Sequence, residues 1–121
     1  MIRPILIALT GDVMLGRGVK VTLHQFGPAY PWGNTLSHLR AADLTIINLE
    51  CVIAHSGRPW SRWPKVFHFR ADPLAISSLR LAGIDGVVLA NNHVLDYEEE
   101  ALLEMLERIS DFGLRISQFA L

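Results

Sequence analysis

Asp43-Leu44-Thr45-Ile46-Ile47-Asn48-Leu49-Glu50 is the stretch on which the fold turns. Leu44 to Ile47 is a short β-rich run, entered from Leu36, Leu39 and Ala42 at helical spacing, with Asn34 or Thr35 placed to cap that helix. Upstream, Ile5 to Leu9 is a second apolar run, bounded by Pro4 and by Thr10-Gly11, and suits a strand buried on both faces of a parallel sheet. The order is strand, crossover, strand. Downstream, residues 51–71 hold no Asp or Glu, carry Arg58, Trp60, Arg62, Trp63 and Lys65, and break regular structure at Pro59 and Pro64, so an excursion loop is expected. Asp72-Pro73 then sets a cap before a helix with Leu74, Leu79 and Ala82 on one face, which Gly83 stops. Gly86 to Ala90 reads as a third strand. Glu98 to Phe112 reads as a helix with Leu102, Leu106 and Ile109 on one stripe and Gly113 as terminator. Ile116 begins a fourth strand, whose character is lost over Ser117 to Leu121.

The chain has 121 residues, 50% of them hydrophobic, and 11 Lys+Arg against 12 Asp+Glu, enough for one compact domain. A net charge of -1 gives no overall pull toward nucleic acid or an anionic membrane, so nucleic-acid binding is not expected. The lone Cys51 cannot form an intramolecular disulfide. The apolar run near Met1 is too short for a signal-peptide core or a membrane span, and a cytoplasmic location is the expectation.

Strands alternating with helices predict an α/β fold, a layered parallel sheet flanked by helices that cover both faces, with ligands at the carboxyl ends of the strands. Each apolar run ends in a polar cluster: Gly11-Asp12, Asn48-Leu49-Glu50 and Asn91-Asn92-His93. A hard divalent cation needs carboxylate and amide oxygens, with an imidazole, gathered from separate loops. Asp12, Glu50, Asn92 and His93 supply that set. The same residues also have a plainer reading, with Asp12 and Asn48 in Asx turns, Asn91 and Asn92 satisfying loop amides, and Glu50 solvated.

Gly-Asp-Val-Met-Leu-Gly-Arg-Gly at 11–18, Asp-Leu-Thr-Ile-Ile-Asn-Leu-Glu at 43–50, Phe-Arg-Ala-Asp-Pro at 69–73 and Ala-Asn-Asn-His-Val-Leu-Asp at 90–96 together resemble the CapA-type family of poly-γ-glutamate capsule biosynthesis proteins. The resemblance runs in order from about residue 5 to residue 113. It implies a calcineurin-like metallophosphoesterase architecture with one or two divalent ions, Mn or Mg. Asp12, Glu50 and Asn92 would fall at metal positions, Asn48 and Asn91 would support them, and His93 would be catalytic, near the scissile phosphate or as a general acid. Family members continue into further His-x-Gly and His-x-His motifs. Of His24, His38, His55, His68 and His93, only His93 lies in a family motif, and Tyr97 with Glu98-Glu99-Glu100 stands where members tend to have glycine. The expectation is therefore the amino-terminal part, over residues 1–121, of a single CapA-like domain, inactive by itself and holding metal weakly. The alternative is a noncatalytic module whose open sheet edge docks on a partner chain supplying the missing half.

Lesser signals point elsewhere. The basic, aromatic segment Arg58 to Arg70 suits a polyanionic polymer such as poly-γ-glutamate, or simply a loop anchored by its tryptophans. Arg17 suits a phosphoester near Asp12, or a surface ion pair. Arg17-Gly18 stands where a Walker loop needs Lys-Ser or Lys-Thr, and the third glycine of a dinucleotide fingerprint is missing, so neither nucleotide site is expected. Asp96 and Glu98 to Glu100 read as a solvated helix start favoured by the macrodipole. Cys51 reads as a buried small hydrophobe, not a nucleophile.

Overall fold

The computed structural model describes residues 2–117. In chain order the elements are β1 (Ile7–Val13), α1 (Arg17–Phe26), a 3-10 segment (Tyr30–Thr35), α2 (Leu36–Ala41), β2 (Leu44–Leu49), β3 (Val52–Ile53), β4 (Arg70–Ala71), α3 (Leu74–Leu81), β5 (Gly86–Val88), α4 (Glu98–Asp111) and β6 (Arg115–Ser117). β1, β2, β5 and β6 lie side by side in that order, all parallel. The α/β class and the helix-flanked parallel sheet are as the alternating pattern requires. β6 supplies the fourth strand at Ile116, while the expected loss of strand character beyond Ser117 lies outside the described residues.

Each strand of the sheet is added on the same side of the one before it. Right-handed crossovers repeated in one direction carry successive helices to the same face, which corrects the expectation of helices covering both faces. Burial along β2 agrees: Thr45, Ile47 and Leu49 are buried, and Leu44, Ile46 and Asn48 only partly so. The first strand departs further from expectation. β1 is an edge strand, and Ile5, Leu6, Ile7 and Leu9 are 75, 55, 52 and 73% exposed, so its apolar run is not buried on either face by the described residues.

Helix α1 has no counterpart in the sequence reading. It starts at Gly16 without a side-chain cap or an acidic first turn, and Val19, Val21 and Thr22 are β-branched, so local propensity argues against it. Packing makes it: Leu23 is buried, α1 lies on α3 and β4, and Gly16 meets β4 so closely that a Cβ there would sit 2.8 Å from the Arg70 carbonyl oxygen. The excursion of residues 51–71 is also tied at both ends, because β3 and β4 pair in parallel through Val52 with Arg70 and Ile53 with Ala71. Pro59 and Pro64 stay outside regular structure, as expected.

Asp72 accepts the Leu74 amide at 3.1 Å at the start of α3. On α4 the fully buried face is Ala101, Met105 and Ile109, with Leu102 and Leu106 flanking it half-buried. This face packs on β3, where Met105 Sδ lies 3.3 Å from the Ile53 amide. No helix among the described residues is long and apolar enough to cross a membrane.

Candidate functional site

The ends of β1 and β2 set the first half of the site. The pairing shifts between Leu9 and Asp12, so the strand continues through Gly11 and brings Asp12 opposite Asn48. Asp12 is thus a strand residue rather than a turn residue placed after a strand. Asn48 Nδ2 donates to Asp12 Oδ1 at 2.7 Å, and Asn48 Oδ1 accepts from Asn91 Nδ2 at 3.0 Å. The Asn91 side-chain amide also donates to the Leu49 carbonyl and accepts the His93 amide, each at 3.0 Å. Three separate segments are stitched together by two asparagine side chains. Glu50 is held by its own amide, which donates to the Val13 carbonyl at 2.9 Å.

His93 is 7% exposed and lies with its ring 4.1 Å from that of Phe69 at an interplanar angle of 24°. Its Nδ1 is 2.6 Å from Asp96 Oδ2, and its Nε2 is 3.8 Å from Glu50 Oε1. An ionised carboxylate only accepts, so Nδ1 carries the proton that Asp96 receives and Nε2 is the atom turned toward Glu50. Asp96 is fully buried. Its Oδ2 also accepts the Phe69 amide at 2.6 Å, while Oδ1 has no directed hydrogen bond and takes its compensation from the ammonium of Lys65. Lys65 donates to the Asn92 carbonyl as well. The solvated-helix-start reading of Asp96 is therefore wrong: the residue precedes α4 and faces inward to hold the imidazole. The His-x-x-Asp spacing was the available signal, since three residues within a turn place both side chains on one side. Lys65 and Phe69 come from the excursion loop and gave no such signal.

The family profile described as bacterial capsule synthesis protein PGA_cap matches residues 6–117, nearly the whole chain. The chain belongs to this family. It is 25% identical over 107 residues to the capsule biosynthesis protein CapA of Bacillus anthracis, an alignment covering 88% of this chain and 26% of that protein. It is 28% identical over 143 residues to a probable polyglutamine synthesis accessory protein of Mycobacterium tuberculosis strain CDC 1551, covering 90% of this chain and 37% of that one. The same figures hold for the equivalent protein of strain H37Rv. The chain spans between about a quarter and somewhat over a third of the length of these relatives.

The metallophosphoesterase-like architecture implies a divalent cation, and the site can be tested for fit. His93 Nε2 and Glu50 Oε1 lie 3.8 Å apart, too far for a hydrogen bond, so both atoms would be free to ligate an ion. The donors are hard oxygens plus one imidazole, as such an ion requires. Among the described residues, however, no three His, Cys, Asp or Glu side chains gather as a ligand group. The PGA_cap site here thus offers donors of fitting kind but not a full shell.

Two other expected site residues make contacts of their own. Asn92 is tied to the site through its carbonyl, not its side-chain amide. The Arg17 guanidinium sits over the Phe67 ring at 5.5 Å. The loop cations are largely committed internally: Arg62 to Glu99 at 3.0 Å, Arg70 to the Ser56 and Gly57 carbonyls at 3.3 Å, and Lys65 to Asp96. Cys51 is fully buried, and that burial pushes its thiol up to about 12, which suits packing and not nucleophilic attack.

Proposed function

We propose that this PGA_cap chain contributes the amino-terminal share of a metal-dependent, phosphoesterase-type site to capsule or polyglutamate synthesis. Asp12, Glu50, Asn92 and His93 would hold one or two Mn or Mg ions, with Asn48 and Asn91 orienting them. The bound ion would supply Lewis-acid activation of water or a phosphoester oxygen. The protein's own residues keep His93 in one tautomer and aim its Nε2 beside the Glu50 carboxylate. That aim, with Nδ1 committed to Asp96, is the observation that carries the reading. With two carboxylates and one imidazole for an ion that takes about six ligands, the chain holds metal weakly and does not turn over substrate by itself.

Calorimetric titration of manganese into the wild type and Glu50→Gln tests it. Weak binding that falls about tenfold or more in the variant is the expected result. Equal affinity for both proteins would overturn it.

A second reading rests on the exposed apolar edge at Ile5, Leu6, Ile7 and Leu9: a noncatalytic module docking on another chain through β1. Light scattering on the eluting protein separates the two. A well-behaved monomer over a wide concentration range argues against obligate docking.

A further inference from the structure

Where α1 meets β4, a small cavity of about 120 Å³ is lined by Lys20, Ala54, His55, Arg70, Ala71 and Asp72, none of which belongs to the strand-end site. Its charged groups can be followed one by one. Lys20 and His24 are four residues apart on one face of α1, and His24 Nε2 lies 2.5 Å from Asp72 Oδ2, so Lys20 faces the same corner. Asp72 also accepts the Leu74 amide. Burial pushes the Asp72 carboxyl up, but the hydrogen bonds from His24 and Leu74 and the charges of His24 and Lys20 outweigh that and hold it below its usual range. Arg70 is fixed without being neutralised: one Nη donates to the Ser56 and Gly57 carbonyls at 3.3 Å, and the guanidinium lies 4.0 Å over the Tyr97 ring. Neither Lys20 nor Arg70 is in an ion pair among the described residues, and the nearby Glu104 is taken by Arg108 at 2.8 Å. Setting Asp72 against either cation therefore leaves the cavity one positive charge in excess.

We infer that this cavity binds a small oxyanion of phosphate size. Two fixed positive charges oppose a metal ion or an ammonium group there. The volume falls short of the roughly 300–1,000 Å³ that encloses larger ligands, so the occupant is a group of a few heavy atoms and not a nucleotide or a sugar. An oxyanion answers the donors that remain. With one Nη on the carbonyls, Arg70 keeps Nε and its other Nη without an acceptor among the described residues, a planar edge suited to two oxygens of one group, and Lys20 adds a point charge on a flexible stem. Such an occupant braces α1 against β4, which matters because local propensity alone does not favour α1. The site shares no residue with Asp12, Glu50, Asn92 or His93, so it stands or falls apart from the cation reading.

The test is an NMR titration of the isotope-labelled 121-residue protein with inorganic phosphate, at an ionic strength held constant with sodium chloride and with a chelator present to keep metal from the strand-end site. Saturable shifts at the amides of Lys20, Ala54, His55, Arg70 and Ala71 support the site, provided the affinity falls about tenfold or more in Lys20→Met and returns to within about threefold of wild type in Lys20→Arg. Lys20 is half-buried and methionine keeps the length of its stem, so the fold stands, which circular dichroism checks. Lys20→Gln removes the same charge with a polar side chain if methionine disturbs α1. Shifts that rise without saturating, equal affinity in the charge-removing variant, or saturable shifts confined to Asp12, Asn48, Glu50 and His93 would overturn it. In Glu50→Gln the phosphate affinity stays unchanged, whether or not manganese binding is lost, so failure of the cation site and failure of this cavity are told apart.

Discussion

His93 Nδ1 and Asp96 Oδ2 lie 2.6 Å apart at the turn before α4, and the carboxylate of the pair is fully buried. Phe69 touches both partners, with its ring against the imidazole and its amide on the carboxylate, and Lys65 closes the group from the far side. One histidine is thereby fixed by its own turn and by two residues of a loop more than twenty residues earlier. The excursion loop is part of the site's frame and not an appendage to it.

Asp96→Asn removes the charge that compensates Lys65, whose side chain is only 18% exposed. Breaking a buried pair from one side leaves the other charge uncompensated, and a loss of about 3 kcal/mol in unfolding free energy is expected from urea titration. Lys65→Met in the Asp96→Asn background should recover a good part of that loss, because the stranded charge is then gone. Additive losses in the double variant would refute the pairing.

Acid stability should depend on Glu104. Burial pushes its carboxyl up, but hydrogen bonds from the Ser56 hydroxyl and amide, the His55 amide and Arg108 outweigh that and hold it at about 2. A carboxyl depressed in the folded state adds stability that is complete above its unfolded value and is lost as pH falls through its folded one. The contribution should therefore fade between about pH 4.5 and about pH 2. Glu104→Gln should cost about 1–3 kcal/mol at neutral pH and flatten the acid limb of a thermal-denaturation series. An unchanged acid limb would count against this role.

Much of this was legible in the chain because period and punctuation agree where elements are regular. Leu44 to Ile47, the Asp72-Pro73 start of α3 and the span of α4 announce themselves locally, although the buried face of α4 runs through Ala101 and Met105 rather than Leu102 and Leu106, and Asp12, Asn48, Glu50 and Asn91 follow from the rule that ligands sit at strand ends. Helix α1 was not legible because β-branched residues and glycines form it only under tertiary packing. The burial of Asp96 was hidden for a related reason: its partners Lys65 and Phe69 lie far off in sequence, and Glu98 to Glu100 beside it imitate a solvated helix start. β1 misled because an apolar run reports what a strand is able to bury, not what covers it.

Gly57 is a close-packing position of the loop on α4. A Cβ there would lie 2.2 Å from the Tyr97 carbonyl oxygen and 2.8 Å from Ala101 Cβ, and its φ is +87°. Gly57→Ala should destabilise by about 3 kcal/mol, since backbone and helix must both shift. Gly83→Ala is the control: φ is +76°, yet the nearest atoms are 3.9 Å away, so only the backbone cost of about 1 kcal/mol applies. Equal losses at the two positions would show that the loop does not seat on α4 this closely.

Ile7 and Leu9 on β1 are more than half exposed, next to Ile5 and Leu6, and the outer side of β1 carries no strand among the described residues. An apolar edge of this kind templates further pairing, and a lysine placed on it opposes that pairing by charge and desolvation. Light scattering of the 121-residue chain should show self-association that grows with concentration. Ile7→Lys with Leu9→Lys should suppress it while changing unfolding free energy by no more than about 0.5 kcal/mol per site, because neither side chain is buried by the described fold. If the double variant unfolds instead, β1 packs against something within the same chain, and the docking reading loses its surface.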